Sequence, residues 1–180
     1  MANHITTKIL GPIEIVDHLC EISLHGLRVD FNKLIPQPEN IEKGDCPHGG
    51  VFTENKIDEN SMDKDGVVCW YAWNYHNWGT KWNAYDTNVE VVESLNLAIV
   101  RFDTAWNCPF PVLGALSRRV EGSMFIKYAD EDLGYNCGKI YVDDMGYRHI
   151  ELGNGSVESK DFATQLKYGV TYEEWRRELY

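Results

Sequence analysis

The decapeptide from Asn77 to Asp86, NWGTKWNAYD, sets two tryptophans and a tyrosine among an ammonium, a carboxylate, two carboxamides and a hydroxyl. Aromatic faces and polar heads at this density can do two things. They can fill a core, with the Trp78 and Trp82 indole N–H groups finding partners in Asn77, Asn83 or Asp86. They can also line a concavity in which Thr80, Lys81, Asn83, Tyr85 and Asp86 present the polar groups of a ligand pocket or a protein hot spot. Thr104 and Trp106, in the second distinctive stretch FDTAW, fall where an ordered element meets a loop, and they are grouped with this segment as the candidate binding surface.

Other reactive groups offer weaker chemistry. Cys46 and His48 lie two positions apart, with Cys69 and His76 further on; thiolate and imidazole suit zinc, but no CxxC or HxxxH pair accompanies them, so no metal and no cofactor is expected. A cysteine nucleophile would need a nearby histidine and an orienting carboxylate, and the spacing of the five cysteines and six histidines selects no such set. Neither a GxGxxG nor a P-loop pattern occurs to cradle phosphate. No catalytic residue is assigned.

Charge narrows the partners. The 180 residues carry 28 acidic and 17 basic side chains, a formal charge of -11, so the long-range field repels nucleic acid and direct binding to it is not expected. No apolar run is long enough for a membrane-spanning helix, and the N-terminus lacks signal-peptide order, which predicts a cytoplasmic protein. The odd, scattered cysteines are expected to be free thiols.

The elements that must position these groups follow from periodicity. His4 to Leu10 reads as a strand; after Gly11-Pro12, Ile13, Val16 and Cys20 share one face of a helix, with Ile15, Leu19 and Ile22 beside them. The prolines after Ile35 predict an extended or turning segment. Residues from about 39 to 69 are rich in acids and poor in large apolar groups, an exposed insertion. Trp70 to Trp78 has helical spacing, and Gly79 is the residue expected to end it. Two strands follow, with Ala98, Val100, Phe102 and Thr104 on one face of the second and Leu97, Ile99, Arg101 and Asp103 on the other; apolar groups in both sets imply that both faces are partly covered. A helix carrying Leu113, Leu116 and Val120 comes next, then a strand and a further hairpin turning at Asp143 to Gly146. At the end, Thr171 and Glu174 form a capping-box pattern.

This βαββαβ order predicts an α+β fold, a ferredoxin-like sandwich with an acidic insertion and an extra C-terminal hairpin. Residues 1–150 are expected to form that domain and 151–180 a C-terminal extension ending in a short helix. Four motifs, FNKLIPQPE, NWGTKWNAYD, FDTAWNCPFPVLGALS and GYNCGKIY, resemble in that order the YubB-type ferredoxin-like proteins of plasmids, phages and integrated elements. The resemblance implies the fold and a mobile-element context and brings no catalytic residue. Three functions stay open: a non-enzymatic accessory protein that binds and inhibits a host protein, such as a defence protein, through the tryptophan-rich surface or the acidic insertion; a binder of a small ligand such as a nucleotide signal in a tryptophan-lined cleft; and an enzyme of unrecognised class.

Overall fold

In the first strand, β1 (His4–Pro12), every second residue is buried against helices: Ile5, Thr7 and Ile9 are almost wholly inaccessible. A computed structural model describes residues 3–39, 41 and 69–178. Beyond β1 the chain forms α1 (Glu14–Leu19), the hairpin β2 (Cys20–Ser23) and β3 (Gly26–Val29), and α2 (Trp70–Trp78). Then come β4 (Tyr85–Val92), β5 (Leu97–Ala105), α3 (Phe110–Ser117), β6 (Met124–Asp130), β7 (Cys137–Asp143), β8 (Gly146–Glu151), α4 (Val157–Tyr168) and α5 (Tyr172–Glu178).

The sheet has six strands in the order β4-β5-β1-β6-β7-β8, each antiparallel to its neighbours. Its first four strands have the order that βαββαβ connectivity gives when each crossover skips a strand, which is the ferredoxin-like arrangement expected from the element order. The hairpin β7–β8 continues the same sheet through a two-residue turn at Asp144-Met145. The insertion predicted at about 39 to 69 falls almost entirely outside the described residues.

Register identifies the core face. Ile5 pairs with Thr104, Thr7 with Phe102 and Ile9 with Val100 on β5, while Ile9 also pairs with Ile126 on β6. All of these are buried, so the Ala98, Val100, Phe102 and Thr104 set faces the helices. Ile15, Leu19, Trp73, Trp78, Leu113 and Leu116 close over it. The opposite face carries the other apolar set and receives α4, where Ala129 and Cys137 pack against Ala163 with Phe162 and Leu166 beside them. Coverage of both faces is the arrangement that apolar residues on both sides of β5 imply.

Local chemistry sets the element ends. Gly79 closes α2 at φ 78°, a left-handed conformation that a side chain would disfavour, and a Cβ there would meet Pro111 at 2.9 Å. The capping box is formed: the Thr171 backbone N–H donates to Glu174 (2.8 Å) and the Glu174 N–H donates back to the Thr171 hydroxyl (3.2 Å). These hydrogen bonds hold the Glu174 carboxyl below its usual value. Two local expectations need correction. The first helix stops at Leu19, because Cys20 to Ser23 pairs with Gly26 to Val29, which leaves Ile22 exposed rather than on a helix face. Residues 157–168, read only as extension, form the helix α4, with Ser156 accepting from the Ser159 N–H as its cap.

Cys20, Cys108 and Cys137 are free and buried, whereas Cys69 is disulfide-bonded, which corrects the expectation of five free thiols. Burial pushes Cys20 and Cys137 up to about 11, and it raises Cys108 well above the ordinary thiol range. These three thiols therefore stay protonated and inert at neutral pH. Brief alkylation at pH 8 followed by peptide mass spectrometry should leave all three unmodified in native protein and modify them after unfolding. Trp78 is 1% exposed and packs edge-to-face on both Phe31 and Trp73. Trp78→Ala should cost about 3–5 kcal/mol in urea unfolding.

Candidate functional site

The motif from Asn77 to Asp86 leaves α2, crosses the end of the sheet and enters β4, and its residues divide between two duties. Those that hold the loop are numerous. Asn77 donates to the Trp73 carbonyl (2.9 Å), the Trp78 indole donates to the Ile35 carbonyl (2.9 Å), and the buried Thr80 hydroxyl donates to the Ala105 carbonyl (2.7 Å). The Asn83 amide oxygen accepts from the Phe31 and Ala84 backbone N–H groups (3.0 and 2.9 Å), while its NH2 donates to Asp30 (2.6 Å). Burial alone would raise the Asp30 carboxyl, but hydrogen bonds from the Asn32 backbone, Asn83 and the Asn32 side chain outweigh it and hold the group below its usual value. Thr104, fully buried, donates to the Asn107 carbonyl (2.8 Å).

Tyr85 bonds the ring Nδ1 of His4 (2.7 Å) and meets that ring edge-on. Burial pushes its hydroxyl up to about 12, with Asp103, Asp86 and Glu131 adding to the shift, so the group stays protonated at neutral pH. Asp86 itself is exposed at φ 49°, beside the register shift that separates Tyr85 from Asn88 in β4.

The remaining three residues form a cluster at the surface. The Lys81 ammonium stands 4.9 Å from the centre of the Trp82 ring, 5.0 Å from Trp106 and 5.5 Å from Tyr71. Three ring faces around one cation are attractive through the ring quadrupoles, and each contact is worth about 0.5–1 kcal/mol at an exposed site. Trp82 is 40% exposed. Trp106 has φ 73°, where a bulky side chain is disfavoured. Its N–H donates to the Asn3 carbonyl (2.8 Å) and its carbonyl accepts from Asn136 (3.4 Å), which together hold the backbone in that conformation.

The geometry therefore brings Lys81, Trp82 and Trp106 together and assigns Asn77, Trp78, Thr80, Asn83, Tyr85 and Thr104 to supporting contacts. Two residues absent from the sequence-derived set belong with the cluster. Tyr71 supplies the third ring. Asn74, buried, donates to the Lys81 carbonyl (2.9 Å) and accepts from Gln37 (2.5 Å), so it positions the lysine backbone. The helical offset from Tyr71 to Asn74 and on to Trp78 was visible in the sequence; the turn at Gly79 that folds Lys81 back over that helix was not.

Among the described residues, no group of three or more His, Cys, Asp or Glu side chains is arranged to hold a metal ion. Cys46 and His48 lie outside those residues.

A family model for the ferredoxin-like domain in Api92-like proteins matches residues 77–170, more than half of the chain. The chain belongs to this family. No curated protein and no solved structure matches it. The Api92-like match begins at Asn77, in the last turn of α2, and runs through β4 to α4, so it takes in the whole Asn77 to Asp86 motif and the helix on the second face of the sheet. Tyr71, Asn74 and β1 lie before it.

Two neighbours in this Api92-like motif should respond in opposite ways. Asn83→Ala, by stranding the Phe31 N–H and removing one of the hydrogen bonds to the Asp30 carboxylate, should cost about 1–3 kcal/mol in chemical denaturation. Asp86→Gly, at an exposed left-handed position, should stay within about 0.5 kcal/mol of the parent.

Proposed function

We propose that the chain is a non-enzymatic binding protein of a mobile genetic element and that it engages and inhibits a host protein through the surface formed by Tyr71, Lys81, Trp82 and Trp106. The observation that carries this reading is the Lys81 ammonium held among three aromatic rings. Tryptophan and tyrosine are enriched in interface hot spots, because large rigid rings bury much area while losing little conformational freedom, and Lys81 holds three such rings together. The strained backbone at Trp106 fits a position retained for contact, since such strain costs about 1–3 kcal/mol and is concentrated at functional sites.

The mobile-element attribution and the narrower likeness to YubB-type proteins rest on the four ordered sequence motifs. A host target implies a cytoplasmic setting; among the described residues no helix is long and apolar enough to cross a membrane. A protein partner is favoured over a small ligand at this surface, because the space between the three rings is already taken by Lys81.

Co-purification of the tagged full-length chain from host lysate tests the proposal. A stoichiometric host protein is expected, and Lys81→Ala and Trp82→Ala should each weaken its capture at least about tenfold while shifting the melting temperature by no more than a few degrees. A small molecule in the denatured extract, with no protein partner, would replace this reading by that of a ligand binder. Full retention of the partner by both variants would remove the surface from consideration.

A further inference from the structure

The face of the sheet turned away from α1, α2 and α3 carries a row of cations that the acidic composition conceals. Lys8 on β1 stands directly opposite Arg101 on β5 and Lys127 on β6, and Lys127 stands opposite Lys139 on β7. Four basic side chains thus cross four adjacent strands in one line, each neighbouring pair within about 4.5–5.5 Å at Cβ. Like charges at such positions destabilise a sheet. None of the four forms an ion pair among the described residues. The Lys127 ammonium lies over the Phe125 ring at 5.3 Å and over Phe162 of α4 at 5.9 Å, and the Lys139 ammonium over Phe162 at 5.3 Å; among the described residues Lys8, which is exposed, and Arg101 have no such ring contact.

Two residues further along the same face lies a second row. Leu10 is paired with Ile99 and Phe125, and Phe125 with Tyr141. The Phe125 and Tyr141 rings stack at 4.8 Å with 26° between their planes, both half-buried, and the Arg148 guanidinium lies over Tyr141 at 5.6 Å. Where this row meets the strand ends there is a cavity of about 380 Å³, lined by Leu10, Leu97, Phe125 and Tyr141 with Asn96, Ser123 and Asp143 supplying polar groups. α4 covers the opposite end of the face, around Ala129 and Cys137, and leaves this end uncovered by it.

We propose that this open half of the sheet binds a short stretch of single-stranded nucleic acid, with phosphates along Lys8, Arg101, Lys127 and Lys139 and bases on Phe125, Tyr141 and the adjoining cavity. A line of cations beside half-buried aromatic rings and an open cavity is a combination suited to single strands, since the charge follows the backbone and a base can insert against a ring. An acidic peptide would use the cations and leave the aromatic row and cavity without a role. A duplex keeps its bases stacked inside and gains nothing from the rings. The formal charge of -11 opposes long-range attraction, so the complex should be weak and strongly salt-dependent.

Fluorescence anisotropy of the full chain with labelled single-stranded DNA and RNA of about ten nucleotides tests this, at several salt concentrations and with a matched duplex and polyglutamate as competitors. Micromolar binding at low salt is expected, falling as salt rises. Lys8→Gln should reduce the log–log salt slope by about 0.7, whereas Arg177→Gln, which removes a cation from the exposed side of α5, should not change it. Tyr141→Leu keeps apolar bulk but removes the ring face, and should weaken oligonucleotide binding at least about fivefold. Circular dichroism and melting temperature confirm that each variant is folded. Absence of oligonucleotide binding at low salt overturns the proposal. So does equal competition by duplex or polyglutamate, or unchanged binding by folded Lys8→Gln and Tyr141→Leu.

Discussion

Strand β1 is the constraint on which the rest depends. It is paired on both sides, along nine positions to β5 and six to β6, and its two faces are closed by different helices. Its odd positions, Ile5, Thr7 and Ile9, enter the core under α1 to α3, while on the even face the Lys167 ammonium of α4 donates to the Thr6 hydroxyl (3.1 Å) and the His4 carbonyl (3.2 Å). A slip of one residue would exchange these faces, placing Lys8 in the core and withdrawing the groups that tether α4. Lys167 is held with a lowered pKa because burial disfavours its charge, against the opposing pull of Asp103, Asp130 and Glu131. Those acids sit where the end of α4 meets the sheet, so the second face is divided into an acid-flanked, covered end and a basic, open one.

Much of this fold was legible in the sequence because local and long-range preferences agree. The alternation from Ala98 to Thr104 is the observed core face, Gly79 ends α2, and Thr171 with Glu174 caps α5. The hairpin β2–β3 was not legible, since Ile15, Leu19 and Ile22 also fit a helix. Its pairing is supported from elsewhere, as the Val29 N–H donating to the Thr87 hydroxyl illustrates (3.2 Å). α4 was missed for a different reason: Ser159 and Thr164 are fully buried in it, and polar residues do not mark a core face to a hydrophobicity pattern. Their hydroxyls are satisfied within the helix, by donation to the Ser156 carbonyl and to the Lys160 and Asp161 carbonyls.

The aromatic motif illustrates a similar limit at the site. Composition and spacing located the segment but could not separate its duties, because tryptophan serves equally as core filler and as contact surface. The structure separates them by four residues: Trp78 is enclosed, and Trp82 lies open beside Lys81. The hydrogen bonds that Thr80 and Asn74 donate and that Asn83 accepts explain why polar groups interrupt the aromatics, since each secures a turn of backbone that regular secondary structure leaves unsatisfied.

The two borders of the sheet differ in how they meet solvent. At β4 the chain's own hairpin closes in through Val29 and Thr87. At the other border, β8 presents six exposed residues whose backbone could template another strand. Arg148, His149 and Glu151 make that border hydrophilic, and its short length limits the hydrogen bonds that a second molecule could add. A sheet of six antiparallel strands is thereby protected from growing edge to edge into aggregates at high concentration, even though Tyr147 and Ile150 leave apolar area on the same strand.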